Sequence, residues 1–137
     1  MEIKNGTKQK DDTTQKEGKR VEFKEYIRTS LGRPAVFYFP SIKINDHKNG
    51  NLSLKIHNFL IENFGGYTAE KGSVLGYWQD NGSTEYNENI KYTIAFEGKH
   101  KIPVLEKFLA EIAAKISEKA IYLETGEDSW LIYPKRK

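Results

Sequence analysis

Apolar and polar positions divide the chain into stretches of distinct period. Residues 1–20 are mostly Lys, Asp, Thr, Gln, Glu and Gly with almost no apolar side chains. Such a segment cannot bury enough surface to offset its ordering entropy, so a disordered polar tail is expected. Val21, Phe23, Tyr26, Ile27 and Leu31 then form a weak apolar pattern that Gly32-Arg33-Pro34 ends. That pattern suits a short helix or strand, and 21–34 reads as a linker or packing segment ahead of a single domain over 35–134.

Within the domain the periods are clearer. Ala35 to Ile44 is aromatic and β-branched, a strand in which Pro40, with no N–H for a ladder, marks a bulge, an edge or an early end to pairing. The polar run from Asn45 to Gly50 is turn chemistry. Leu52, Ile56, Phe59, Leu60 and Phe64 recur at helical spacing, with Asn49 or Asn51 as cap and Gly65-Gly66 as stop. Val74 to Gln79 reads as a strand, Asp80-Asn81-Gly82-Ser83 as a turn, and the residues up to Asn89 as an extended loop. Ile90, Tyr92, Ile94 and Phe96 alternate with Lys91, Thr93, Ala95 and Glu97, a strand with one dry face. Pro103 opens a second helix carrying the stripe Leu105, Phe108, Leu109, Ile112, Ala113 and Ile116. Ile121 to Glu124 and Trp130 to Tyr133 form a terminal hairpin about Thr125 to Asp128.

The order β-α-β-β-α-β with one further strand predicts an α+β, ferredoxin-like fold: an antiparallel sheet with both helices on one face. Whether the last hairpin joins that sheet is left open by the pattern.

Composition narrows the chemistry. The chain of 137 residues is 37% hydrophobic and contains no Cys, which excludes disulfides, a thiolate zinc site and a thiol nucleophile. No apolar run approaches the roughly 18 residues of a membrane span, and the polar N-terminus has no signal-peptide core, so a cytoplasmic location is expected. The net charge of +3 resolves into +2 for residues 1–28, +3 for Lys135-Arg136-Lys137 and −2 for everything between. The basic excess belongs to the tails, where a nonspecific contact with nucleic acid would reside; a phosphate-binding groove would draw its charge from the folded surface. The third strand also lacks the exposed aromatics of an RNA-recognition sheet, because Tyr92 and Phe96 share the dry face.

No Ser-His-Asp signature, nucleophile elbow or Gly-rich phosphate loop occurs. His47 and His100 stand in polar turns and His57 within the first helix at the edge of its apolar stripe, without metal-ligand spacing, so no metal and no cofactor is expected. Two features remain. One is the cluster from Gly76 to Tyr86, where a tight Gly turn places Glu85 beside Trp78. Burial against the indole would raise that carboxyl and suit it to acid–base work with Tyr77 or Tyr86, while the alternative is a hairpin whose Trp fills space. The other is the open sheet face. If every strand keeps its alternation, Tyr38, Tyr77, Tyr122 and Tyr133 share it, unless residues 21–31 cover it.

Phe64-Gly65-Gly66-Tyr67-Thr68, then Gly76-Tyr77-Trp78, Gly82 and Glu85, resemble a pattern in small uncharacterised bacterial ferredoxin-like domains. There a helix ends in a Gly turn, a Gly-x-Trp strand follows, and a Glu lies beyond a second Gly. The likeness spans roughly residues 55–133 and departs at the inserted stretch Thr68 to Ser73. It implies the fold and no activity.

The leading expectation is a non-catalytic binding module, associating with itself as a homodimer, with a protein partner or with a small molecule through the aromatic face or the Trp78/Glu85 hairpin. An enzyme of small-molecule chemistry built on Glu85 is the alternative. The Lys, Asn and Ile usage fits an AT-rich bacterial or phage genome.

Overall fold

The computed structural model describes residues 20–126 and 129–135. The polar tail expected before them, and the tip of the last turn, lie outside these residues. Two short strands come first, β1 (Arg20–Glu22) and β2 (Ile27–Thr29), paired as a separate hairpin. Phe23 stacks on Tyr26 with ring centroids 4.7 Å apart, yet Phe23, Tyr26, Ile27 and Leu31 all stay exposed. The linker segment is thus a small hairpin that buries little.

The domain follows as β3 (Arg33–Pro40), α1 (Ser41–Ile44), α2 (Leu52–Phe64), β4 (Thr68–Asp80), β5 (Ser83–Phe96), α3 (Lys101–Lys115), β6 (Ile121–Thr125) and β7 (Ser129–Ile132). The strands form one sheet in the order β4-β5-β3-β6-β7, and the pairs along it are antiparallel. Each long helix connects two strands across a third: α2 carries the chain from β3 past β5 to β4, and α3 from β5 past β3 to β6. This is the ferredoxin-like α+β arrangement expected from the pattern, and the terminal hairpin does join the sheet, adding β7 outside β6.

One face of the sheet is dry. Ala35, Phe37 and Phe39 of β3, Ile90, Tyr92, Ile94 and Phe96 of β5, and Ile121 and Leu123 of β6 form a single core with both helical stripes. Phe59 of α2 lies flat on Phe108 of α3 at 3.8 Å between centroids, which locks the two helices together. The Asn51 side chain accepts from the Leu54 N–H at 3.1 Å to cap α2, and Gly65 ends it in the left-handed conformation.

Two boundaries differ from the sequence expectation. Pairing of the first strand ends at Pro40, one of the roles open to that proline, but Ser41–Ile44, read as strand, turn helical so that Ile44 reaches the core while Ile42 stays exposed. The larger difference lies in β4 and β5, which run to 13 and 14 residues. The stretches expected as an insertion (Thr68 to Ser73) and as a loop (up to Asn89) are both strand. Most side chains in them are exposed on both faces, so they show no dry-face alternation for a periodicity argument to detect.

Tyr92 is a polar group inside the core. Burial first, and the neighbouring Tyr67 second, push its phenol up to about 12. The unfolded chain releases this proton near pH 10. Between about pH 10 and 12 the folded state therefore holds a proton that the unfolded state lacks, and stability falls as pH rises through that window. Unfolding free energies from urea titrations at several alkaline pH values should fall more steeply for the wild type than for Tyr92→Phe, by up to about 1.4 kcal/mol per pH unit. Equal slopes would contradict this account.

Candidate functional site

The other face of the sheet carries the site, and the β4–β5 hairpin shapes it. Asn81 and Gly82 both adopt positive φ, 52° and 83°, the signature of a two-residue type I′ turn whose twist matches its strands. That turn fixes the register at Asp80↔Ser83, and hence Trp78↔Glu85 and Tyr77↔Tyr86. The sequence expectation that the tight turn sets Glu85 beside Trp78 therefore holds as a cross-strand pair.

Pairing between β3 and β5 ends at Pro40↔Asn89, so from Val74↔Asn89 to the tip the hairpin is a ribbon of two strands. Two-stranded ribbons twist more strongly than wider sheets, and the register shift between Glu70 and Val74 bends this one further. The effect can be measured. In a flat sheet β4 and β6 would stand three strand intervals, about 14 Å, apart, yet the Trp78 ring centroid lies 6.1 Å from that of Tyr122 on β6. The ribbon curls over the open face, and a cleft of about 530 Å³ lies beneath it.

Tyr38, Trp78, Glu85, Tyr122 and Tyr133 all line this cleft. Tyr38 and Tyr122 approach at 5.9 Å between centroids, and the Tyr122 hydroxyl donates to Glu124 Oε1 at 3.4 Å. At one end Glu118 and Lys119 reach the cleft, with Glu118 held by the Lys43 ammonium at 2.5 Å. The Ser41 hydroxyl donates to the Glu88 carbonyl at 3.0 Å, tying α1 to the ribbon's base. No residue of the β1–β2 hairpin lines the cleft, so the cover considered for residues 21–31 does not lie over it.

Three expectations need correction. Strand alternation puts Trp78, not Tyr77, on the face shared with Tyr38 and Tyr122. Tyr77 and Tyr86 pair on the opposite face and stack at 5.6 Å. Tyr77, on the sheet's edge strand, still borders the cleft, whereas Tyr86 does not. Glu85 and the two tyrosines accordingly do not converge as an acid–base set. Third, Glu85 is exposed, so the burial against the indole expected for it is absent.

Sequence reading missed Asn89, Glu124 and Leu131, all of which line the cleft. The usable signal was Asn89, an amide directly ahead of the alternating strand. Elsewhere, His57 Nδ1 lies 2.9 Å from the Tyr67 hydroxyl, and among the described residues no three His, Asp or Glu side chains gather in metal-binding fashion. No described helix is long and apolar enough to cross a membrane.

The cleft thus offers aromatic faces, carboxylates and the amides of Gln79, Asn87 and Asn89 in a volume typical of small-molecule sites. No protein-family model and no curated protein matches the sequence. Among solved structures the chain is similar to a phage SAM lyase in complex with S-methyl-5'-thioadenosine. Identity is 13% and the TM-score 0.50, over 77% of this chain and 92% of that one. The apo form of a phage SAM lyase aligns with a TM-score of 0.49 at 10% identity. At such identity the likeness concerns the fold.

Proposed function

We propose that the chain binds a small ligand of the S-adenosylmethionine or methylthioadenosine kind, a purine nucleoside bearing a sulfur centre, in the cleft beneath the β4–β5 ribbon. The observation that carries this reading is the convergence of Tyr38, Trp78 and Tyr122, with successive centroids 5.9 and 6.1 Å apart, beside Glu85 and Glu124 in one cleft. Aromatic faces stack a flat base and attract a sulfonium through their quadrupoles, and nearby carboxylates offset the positive charge. The ligand of the structurally similar phage lyase, S-methyl-5'-thioadenosine, belongs to the same class and supports the choice.

Calorimetric titration tests the reading. Saturable binding of methylthioadenosine or S-adenosylmethionine, with a matching rise in Tm, is the expected outcome. Neither heat nor a Tm rise up to about 1 mM ligand would overturn it. A catalytic version of the same site rests on Glu85, a solvent-accessible carboxylate directly across from Trp78. It predicts that Glu85 takes a proton from the carbon next to the S–CH2 group of the amino-acid chain of S-adenosylmethionine as the C–S bond breaks. Methylthioadenosine then leaves with the bond's electron pair, and the four-carbon amino acid is released as an alkene. Recovery of intact substrate rules that version out.

A further inference from the structure

Apart from the Tyr92 phenol on the helix side, Asn89 is the one buried polar side chain among the described residues, with 7% of its surface exposed. Its partners across the sheet are Pro40 on β3 and Val74 on β4. Neither has a polar side chain, and Pro40 has no N–H either. The Nδ2 group of Asn89 donates to the Asn87 carbonyl at 3.3 Å, and its Oδ1 accepts no hydrogen bond from the described residues. A buried acceptor without a donor destabilises the fold, and on an interior strand a β-branched apolar residue would suit the position better. Structure alone does not account for an amide here.

Its surroundings point to recognition. Asn89 lines the cleft, as do Gly76 and Trp78. A Cβ at Gly76 would stand 3.0 Å from Asn89 Nδ2 and 3.5 Å from Trp78 Nε1. Glycine therefore leaves the approach to both groups clear, and the indole N–H makes no hydrogen bond among the described residues. The ribbon thus carries a buried amide, an indole donor and a gap in front of both.

On the reading of the cleft as a nucleoside site, we infer that Asn89, left uncovered by Gly76, reads the amino edge of adenine. Oδ1 accepts from the exocyclic N6 amine while the second Nδ2 hydrogen goes to N7, the bidentate match an amide makes with that edge. The Asn87 carbonyl holds the amide in this orientation. A 6-oxo purine presents an acceptor in place of the amine, so it faces Oδ1 with no hydrogen to share and is rejected.

The test is a paired titration with methylthioadenosine and methylthioinosine, which differ at this edge. The wild type should prefer the adenine compound by about tenfold or more. Asn89→Val should bind the two alike and hold or raise its Tm, because an apolar strand former replaces an unsatisfied amide. Gly76→Ala keeps the amide but covers it, and should lose the preference too, which covers the case that Asn89→Val fails to fold. Undiminished preference in either folded variant overturns the inference while the cleft remains a ligand site. A fall in Tm for Asn89→Val, with the preference intact in Gly76→Ala, makes the amide a structural group. If the wild type binds neither compound, the functional reading itself fails and the inference with it.

Discussion

Truncating Phe37 to Ala should cost about 3–5 kcal/mol of stability, the usual toll of removing a buried aromatic ring. Phe37 sits at the middle of β3, with Tyr92 of β5 opposite on one side and Leu123 of β6 on the other. It is fully buried. Its ring lies nearly parallel to Tyr92 at 5.5 Å and edge-on to Phe39 at 5.6 Å. Such contacts add to the area term, and strands on both sides leave little room for the cavity to collapse. Against a total of about 5–15 kcal/mol for a domain, the loss should be plain in urea unfolding at neutral pH. A cost under about 1.5 kcal/mol would mean that the dry face is not the centre of the fold.

That face is also where the sequence could be read. Ile90, Tyr92, Ile94 and Phe96 alternate because water is excluded from one side only, and the stripes of α2 and α3 recur at helical spacing because each helix has one buried face. Helix, strand and connection order then led to the ferredoxin-like sheet. The ribbon obeys no such rule. Beyond Pro40↔Asn89 no third strand and no helix among the described residues covers it, so Leu75, Tyr77 and Tyr86 are exposed and hydrophobicity carries no record of which way they point. Assigning Tyr77 to the open face required a register, and the register comes from the Asn81-Gly82 turn rather than from apolar spacing. Reading that turn was enough to set Trp78 beside Glu85. It could not show that the ribbon curls until Trp78 reaches Tyr122, because that coil follows from where β3 ends. Asn89 was hidden for a related reason: with the strand expected to begin at Ile90, an amide one residue earlier looked like part of a loop.

Replacing Trp78 by Ala should separate binding from stability, the reverse of Phe37. Trp78 is 42% exposed and stands on the two-stranded part of the ribbon, outside the buried core. Its loss opens no cavity there, so Tm should move little. Stacking of a base on an aromatic ring is worth about 1–3 kcal/mol, and affinity for methylthioadenosine should fall about 10- to 100-fold. The chain has two Trp, which supplies an internal control. Trp130 pairs with Leu123, a core residue, and so falls on the helix side of β7, away from the cleft lining. Any change in indole emission on adding methylthioadenosine should therefore survive Trp130→Phe and vanish with Trp78→Ala. Unchanged affinity in Trp78→Ala would remove the ribbon from the site. A stability loss as large as that of Phe37→Ala would instead make the indole a structural prop, holding the curled ribbon against Tyr122 whether or not anything is bound beneath it.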